Sequence, residues 1–226
     1  MSYKSIIITC EHAGNVVPEK YSSLFAGSAA VLNSHRGWDP GALEVATALA
    51  NKLQAPLFSS AITRLLIEVN RSLDSATLFS EFTSELSANE KATLIAQYYL
   101  PYYHSIEEAI RQSEKPVLHL SIHSFTPVFN GTTRTVDIGL LFDLASVQEK
   151  KFCALVKERL DQQLPECKTV FNEPYKGTDD GIAEILRKKF PGSDYLGIEI
   201  ELNQKFTDTP FQGRIQEALY QAIRLA

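Results

Sequence analysis

Two apolar segments of this sequence lead into histidine, and both have the composition of buried β-strands. Ser5–Cys10 is followed by Glu11 and His12, and residues 117–122 are followed by His123. In open α/β sheets, ligands bind just beyond the carboxyl ends of the strands, where these residues would lie. A single histidine in such a place more often packs or caps. Two of them, on separate strands, indicate a metal ion held between two loops.

A third histidine, His119, lies within the second of these segments. It shares a strand face with Ser121 and His123, because strand side chains alternate. Since His119 lies deeper in the strand, we interpret it as a buried histidine that supports the site and not as a metal ligand.

Two carboxylates in a later apolar segment indicate acid–base chemistry. Glu199 and Glu201 alternate with apolar residues, so both would lie on one face of a strand. Burying an ionised carboxylate is costly unless a cation or a metal is nearby, and we therefore expect at least one of them to be functional. A carboxylate beside a metal-activated water is a suitable general base, and Glu199 is our candidate.

Candidate substrate-binding residues accompany other apolar or turn-like segments. Asn70 and Arg71 follow an apolar run over residues 65–69, and Arg71 could bind a substrate carboxylate in a bidentate manner. Arg64, at the start of that run, is a weaker candidate, because a surface ion pair is the commoner arrangement. Tyr175 lies in a turn marked by Pro and Gly, where it could donate to an oxyanion or simply pack.

The composition indicates one folded α/β domain covering residues 1–226, with 44% hydrophobic and 22% charged residues. A net charge of −5 is unlike the basic surface that nucleic-acid binding requires. No apolar run approaches the roughly 18–20 residues of a membrane span, so no membrane association is predicted. Three cysteines without metal spacing, and no signal-peptide pattern, predict a reduced, cytoplasmic protein. The oligomeric state is not predicted.

Strand and helix patterns alternate along the chain. Strands are predicted at residues 5–10, 56–61, 65–69, 116–122, 136–142, 168–171 and 195–201. Helices are predicted at residues 39–53, 89–111 with a break or kink at Pro101, 147–163, 179–189 and from about 210. The first of these would begin with Asp39 as N-cap and Pro40 as the first helical residue. This order predicts a three-layer α/β fold with a mixed, mainly parallel sheet and helices on both faces.

Short blocks that are weak individually follow one another in a fairly specific order through nearly the whole chain. They are His12-Ala13-Gly14-Asn15 with Pro18, His35-Arg36-Gly37-Trp38-Asp39-Pro40-Gly41-Ala42, Thr63-Arg64 to Asn70-Arg71, Tyr99 through His104, Ile122-His123-Ser124, Val136-Asp137-Ile138-Gly139, Asn172 to Gly177, and Ile198-Glu199-Ile200. Together they resemble the N-formylglutamate amidohydrolase family. That family is similar to the zinc carboxypeptidases and the aspartoacylase-type deacylases, so the resemblance implies a zinc-exopeptidase-like fold.

The resemblance implies a divalent metal cofactor, with zinc as the first choice, bound by His12 and His123. Relatives with a His-x-x-Glu pair use that glutamate as a ligand, but this chain has Asn15 in its place. Asp39 is our candidate for the third ligand, although its position suits a helix N-cap equally well. Glu11 and Asn15 remain open as alternatives.

The implied activity is hydrolysis of the amide bond of an N-acyl or N-formyl amino acid, such as N-formylglutamate. Glu199 would be the base, Arg71 with Asn70 would hold a carboxylate of the small-molecule substrate, and Tyr175 would bind the oxyanion. Glu201 stands where an asparagine is expected, which leaves the substrate open. The alternatives are a deacylase or carboxypeptidase for another N-acyl amino acid or peptide, and a non-catalytic small-molecule binding protein on the same scaffold.

Overall fold

A six-stranded β-sheet organises the fold, which is described for residues 3–226 by a computed structural model. The strands are β1 Ser5–Cys10, β2 Leu57–Ser59, β3 Val117–Phe125, β4 Val128–Phe129, β5 Thr132–Thr133, β6 Ile138–Leu141, β7 Thr169–Phe171 and β8 Tyr195–Asn203. The order in the sheet is β2-β1-β3-β8-β6-β7, and β4 and β5 form a separate hairpin. Only the β6–β8 pair is antiparallel within this sheet, so the predicted mixed, mainly parallel sheet is confirmed.

Helices cover both faces of the sheet and complete three layers. They are α1 Ala29–Leu32, α2 Ala42–Leu53, α3 Ala88–Leu94, α4 Leu100–Gln112, α5 Val147–Gln163, α6 Ile182–Lys189 and α7 Pro210–Arg224. The larger core lies between one sheet face and helices α2, α5 and α7. A smaller core lies between the other face and helices α4 and α6. In the described part of the chain, no helix is long and apolar enough to cross a membrane.

Strand alternation decides which side chains reach the functional face. Leu120 and the even-numbered residues near it pack in the larger core. The odd-numbered residues therefore point to the α4/α6 side. The parallel register places Ser121 beside Glu199 and His123 beside Glu201. Polar groups from two neighbouring strands thus meet on one face near the carboxyl ends of the strands.

The strand predicted at residues 65–69 is wrong. This segment contains turns, and Leu66 and Ile67 are buried in a third apolar cluster together with Phe25 and Leu94. The apolar run is therefore explained by burial and not by strand pairing. Periodicity cannot distinguish these two cases over so few residues.

The predicted helix start at Asp39 is also wrong. Helix α2 begins at Ala42, after Gly41 adopts a positive φ of 84°, and no side chain caps it. The carboxylate of Asp39 instead accepts a hydrogen bond from the backbone N–H of Ser124, at 3.3 Å. Asp39 is consequently oriented towards β3 and away from the helix axis.

The predicted break near Pro101 is confirmed in a milder form. A π-helical turn, Ile95–Tyr99, separates α3 from α4, and Pro101 lies in the first turn of α4. Proline has no N–H for a helical hydrogen bond, so a local change of helical pitch just before it is expected. Helix α4 then brings Tyr102 against the sheet, where its hydroxyl donates to the backbone oxygen of Phe58 in β2 at 3.3 Å.

Candidate metal centre and active site

All the site residues predicted from the sequence line a single cavity of about 170 Å³. They are His12, Asp39, Arg64, Asn70, Arg71, His123, Tyr175 and Glu199. Glu201 lines it as well. The cavity is smaller than the roughly 300–1,000 Å³ typical of drug-sized ligands, so it suits a small metabolite.

His12 and His123 approach the same carboxylate oxygen. Their Nδ1 atoms lie 3.2 Å and 3.0 Å from Oδ2 of Asp39, and all three side chains are buried. One potential ligand atom from each residue lies within 4.8 Å of the others. In a tetrahedral site with bonds of about 2.0 Å, neighbouring ligand atoms are about 3.3 Å apart. The observed spacing therefore fits three ligands of one divalent ion.

The outer nitrogens of both imidazoles face carboxylates. Nε2 of His12 lies 2.6 Å from Oε1 of Glu68, and Nε2 of His123 lies 3.1 Å from Oε2 of Glu11 and 2.9 Å from Oγ of Ser121. Metal-binding histidines usually donate their second ring N–H to such an acceptor. In the absence of an ion, the surrounding carboxylates raise the pKa of both imidazoles, so each Nδ1 carries a proton that faces Oδ2 of Asp39. A divalent cation would take the place of these two protons, because metal-binding histidines coordinate through a deprotonated nitrogen, and we therefore regard this cluster as a candidate metal site.

The carboxylates around the histidines are held in their ionised form. Burial opposes ionisation of Glu11, but the hydrogen bond and charge of His123 outweigh it and lower the pKa of Glu11 to about 2. Burial likewise opposes ionisation of Asp39 and Glu68. The His12 ring and the Arg64 guanidinium nevertheless hold the pKa of both carboxyls well below its usual range.

Arg64 contacts the carboxylates of this cluster. Its Nε donates to Oε2 of Glu68 at 2.7 Å, and Nη1 lies 3.4 Å from Oδ1 of Asp39. The guanidinium is thus already paired within the chain, and a contact between Arg64 and substrate stays a prediction.

Asn70 and Arg71 occupy different positions on the cavity wall. The side-chain oxygen of Asn70 accepts a hydrogen bond from the N–H of Ile182 at 2.7 Å. Ile182 is the first residue of α6, which therefore begins three residues later than the predicted residue 179. Nη1 of Arg71 donates to the backbone oxygens of Asn70 and Asp180 at 2.7 and 2.8 Å. No salt bridge of Arg71 is found among residues 3–226, so its charge could serve an anionic substrate. These substrate-binding functions stay predictions.

The structure separates the alternatives for the third ligand. The amide nitrogen of Asn15 donates to the backbone oxygen of Leu32 and to Oδ1 of Asn33, away from the histidine pair. Glu11 accepts from Ser121 and lies against the outer nitrogen of His123. Asp39 lies between the two Nδ1 atoms, so the geometry favours it over Glu11 and Asn15.

Glu199 and Glu201 form the acidic wall of the cavity. Both are buried, and neither carboxylate takes part in a hydrogen bond within residues 3–226. Burial raises the pKa of each carboxyl to about 7, against the opposing charge of His123. A carboxyl group whose pKa lies near neutrality can both take and return a proton at physiological pH.

Two supporting residues were not predicted from the sequence. Glu68 lies inside the apolar run that was interpreted as a strand. A charged residue within that run was the sequence feature that could have identified it as a site residue. Tyr102 donates from its hydroxyl to Oε1 of Glu11 at 2.9 Å, and burial raises the pKa of Tyr102 well above its usual value. Tyr102 therefore remains a hydrogen-bond donor that anchors Glu11 behind His123.

His119 lies outside the metal cluster, as its depth in the strand predicted. Its Nε2 lies 2.8 Å from Oγ1 of Thr9, and its Nδ1 lies 2.6 Å from the hydroxyl of Tyr195. Burial lowers the pKa of His119 to about 4, so the ring is neutral at physiological pH.

The carboxylates behind the histidines should control metal affinity. We expect Glu68→Gln and Glu11→Gln each to weaken zinc binding by about 10- to 100-fold, because each removes a charged acceptor from a ligating imidazole. Competition with a chromophoric chelator measures this affinity. Glu217→Gln, which alters an exposed glutamate on α7, is the matched control. Unchanged affinity in both site variants would contradict the assigned metal site.

Comparisons with known proteins identify the family of the chain and support its fold. The sequence profile of a family described as N-formylglutamate amidohydrolase matches residues 4–207. The chain is similar to the crystal structure of gene product Atu2144 from Agrobacterium tumefaciens, with 28% identity and a TM-score of 0.82. That similarity covers 98% of this chain and 91% of the other. No curated protein sequence matches the chain.

Two further solved structures are more distant. A bacteriophage poly-gamma-glutamate hydrolase has 11% identity and a TM-score of 0.49, covering 98% of this chain and 84% of that one. A metallo-carboxypeptidase from Burkholderia cenocepacia has 12% identity and a TM-score of 0.44, covering 99% of this chain and 57% of that one. Similarity at this level says nothing about the chemistry of the present chain.

Proposed function

This chain belongs to the N-formylglutamate amidohydrolase family, and we propose that it is a zinc-dependent enzyme that hydrolyses the amide bond of an N-acyl amino acid. N-formylglutamate is the first substrate to consider, because the family is described by it. One observation carries the proposal. The cluster of His12, Asp39 and His123 lies on the same small cavity as a buried, unpaired carboxylate, Glu199.

His12, Asp39 and His123 would hold the metal. Three protein ligands leave a coordination position open, as in catalytic zinc sites. When bound, the metal supplies Lewis acidity, which polarises an amide carbonyl and lowers the pKa of a water molecule. Glu11 and Glu68 keep both imidazoles oriented with Nδ1 towards the shared site.

Glu199 acts as the general base and then as the general acid. It takes a proton from the attacking water and later delivers it to the leaving amine. Its lack of an internal hydrogen-bond partner leaves the carboxylate free for this exchange, and its burial brings its pKa close to neutrality.

Arg71 and Tyr175 orient the substrate. The unneutralised guanidinium of Arg71 binds the α-carboxylate of the amino acid, with Asn70 beside it. The hydroxyl of Tyr175, on the loop that follows β7, donates to the oxygen that becomes negative in the tetrahedral transition state. Removing a comparable donor typically costs about 100- to 1,000-fold in rate.

Two alternatives are tested by the same experiment. The enzyme could accept another acyl group or a peptide end, since loops set substrate choice, although the small cavity favours amino-acid derivatives. The chain could also bind such a ligand without hydrolysing it. Neither alternative changes the assigned metal ligands.

A substrate screen with metal analysis tests the proposal. We expect purified protein to contain one divalent ion per chain and to hydrolyse N-formyl, N-acetyl or N-succinyl amino acids. The activity should be lost on chelation and restored by zinc. Metal-loaded protein that binds these compounds but releases no free amine would support the binding protein instead.

A further inference from the structure

We propose that Arg134 recognises a second, side-chain carboxylate of the substrate and thereby sets specificity for acidic amino acids. This inference rests on the proposed function, because it concerns the same cavity. It adds the residue that distinguishes an acidic side chain from a neutral one of the same shape.

Arg134 directly follows the β4–β5 hairpin and packs against two aromatic residues that line the cavity. The centre of its guanidinium lies 5.4 Å from the ring of Phe125 and 5.4 Å from the ring of Tyr175, both of which line the cavity. It also lies 4.7 Å from the ring of Phe129. Phe125 lies two residues beyond His123 on the same face of β3, so the half-buried guanidinium that packs on Phe125 lies near the candidate metal site.

The charge of Arg134 is not neutralised within the described chain. Among residues 3–226, its nitrogens have no Asp or Glu oxygen within 4.0 Å, whereas five other arginines form such pairs. Its polar contacts are the backbone oxygen of Thr126 and the hydroxyl of Tyr175, both at 3.4 Å. Aromatic faces orient a guanidinium without occupying the N–H groups at its edge. Arg134 therefore presents unused donors with the planar geometry that suits a carboxylate.

The other cations of the cavity fit this function less well. Arg64 is paired with Glu68 and Asp39, and Arg71 is assigned to the α-carboxylate. Lys176 lines the cavity but is exposed. Its ammonium is more strongly hydrated than a guanidinium, so it loses more hydration on binding a carboxylate. Arg134 is the better partner for a second carboxylate, and Lys176 is the rival to be tested.

The experiment compares N-formylglutamate with N-formylglutamine, which has nearly the same shape but no side-chain charge. With metal-loaded full-length protein, we expect Arg134→Gln to lower kcat/KM for N-formylglutamate by about 10- to 100-fold, mainly through KM. The value for N-formylglutamine should change by less than about 3-fold. Arg134→Lys should recover part of the loss, because lysine restores the positive charge but not the planar pair of N–H donors that a guanidinium offers to a carboxylate.

Arg214→Gln is the matched control, because Arg214 also lies over an aromatic ring, Phe211 at 4.6 Å, but outside the cavity. Equal losses on both substrates would show that Arg134 only holds the rim together and would overturn the proposal. Loss of discrimination in Lys176→Gln but not in Arg134→Gln would overturn it in favour of Lys176.

A binding titration with N-acetylglutamate and N-acetylglutamine repeats the comparison without turnover when both proteins also carry Glu199→Gln. If wild-type protein hydrolyses no N-acyl amino acid, the proposed function fails, and this titration still decides the inference. Selective weakening of N-acetylglutamate binding in Arg134→Gln supports Arg134, and equal affinities in wild type and variant overturn it.

Discussion

Glu199→Gln is expected to reduce kcat by about 100- to 10,000-fold on the best N-acyl amino acid substrate while the bound metal is retained. Glutamine keeps the shape of the side chain but cannot accept the proton of the attacking water. Because the carboxylate of Glu199 takes part in no hydrogen bond within residues 3–226, the substitution disturbs few internal contacts. Steady-state kinetics together with elemental analysis of the same preparation measures the effect.

Glu201→Gln is the matched control, since Glu201 lies two residues further along the same strand face and lines the same cavity. We expect a smaller loss from it, because one of its oxygens, Oε2, is enclosed without a hydrogen-bond partner. If Glu199→Gln kept near-normal turnover and Glu201→Gln did not, the base would be Glu201. If both variants stayed active, the proposed mechanism would have to be abandoned for this chain.

The convergence of the site could be predicted because it depends on local patterns. His12 and His123 each follow or end an apolar run, and parallel strands bring such ends to one edge of a sheet. Glu199 and Glu201 fall on one face through simple alternation. The register that places them beside Ser121 and His123 is a property of the sheet, and no local pattern gives it.

The connections around the metal site were harder to predict because they join distant segments. Glu68 contacts His12 from a segment that was predicted to be a strand because it is apolar. That segment instead packs in the third apolar cluster, with Phe25 and Leu94. Tyr102 reaches Glu11 across 91 residues of sequence, on a helix whose pattern reports only amphipathicity. Which side chains form such long-range hydrogen bonds depends on tertiary packing, and local sequence patterns do not contain that information.

Asp39 shows how two local interpretations compete. Asp followed by Pro is a favourable helix start, and from the sequence this interpretation of Asp39 was as well supported as metal ligation. The structure separates them because Gly41 takes the N-cap position of α2, while Oδ2 of Asp39 lies between the two histidines. The cost of about 1 kcal/mol expected for a lost cap is accordingly not expected for Asp39→Ala. Its effect should appear in metal affinity instead.

The largest loss of metal binding is expected from His12→Ala and His123→Ala, which should each abolish stoichiometric binding of a divalent ion. Each removes one of the three proposed ligands from a buried site, so the remaining pair can no longer close the coordination sphere. His12→Gln is a second variant that should disturb the structure less. Its amide can still donate to Glu68 from near the position of Nε2, but the Nδ1 ligand is absent. Elemental analysis after exposure to zinc measures the occupancy.

Thermal unfolding gives a second measurement that does not depend on activity. A ligand that binds only the folded state stabilises it by about 4 kcal/mol when its concentration is 1,000 times its Kd. Zinc should therefore raise the Tm of wild-type protein and of a His104→Ala control, whose side chain is exposed and outside the cavity, but not that of the His12 and His123 variants. Wild-type protein that stays metal-free when zinc is offered, and still hydrolyses its substrate, would refute the metal mechanism. Glu199 would then have to activate water without help from a metal ion.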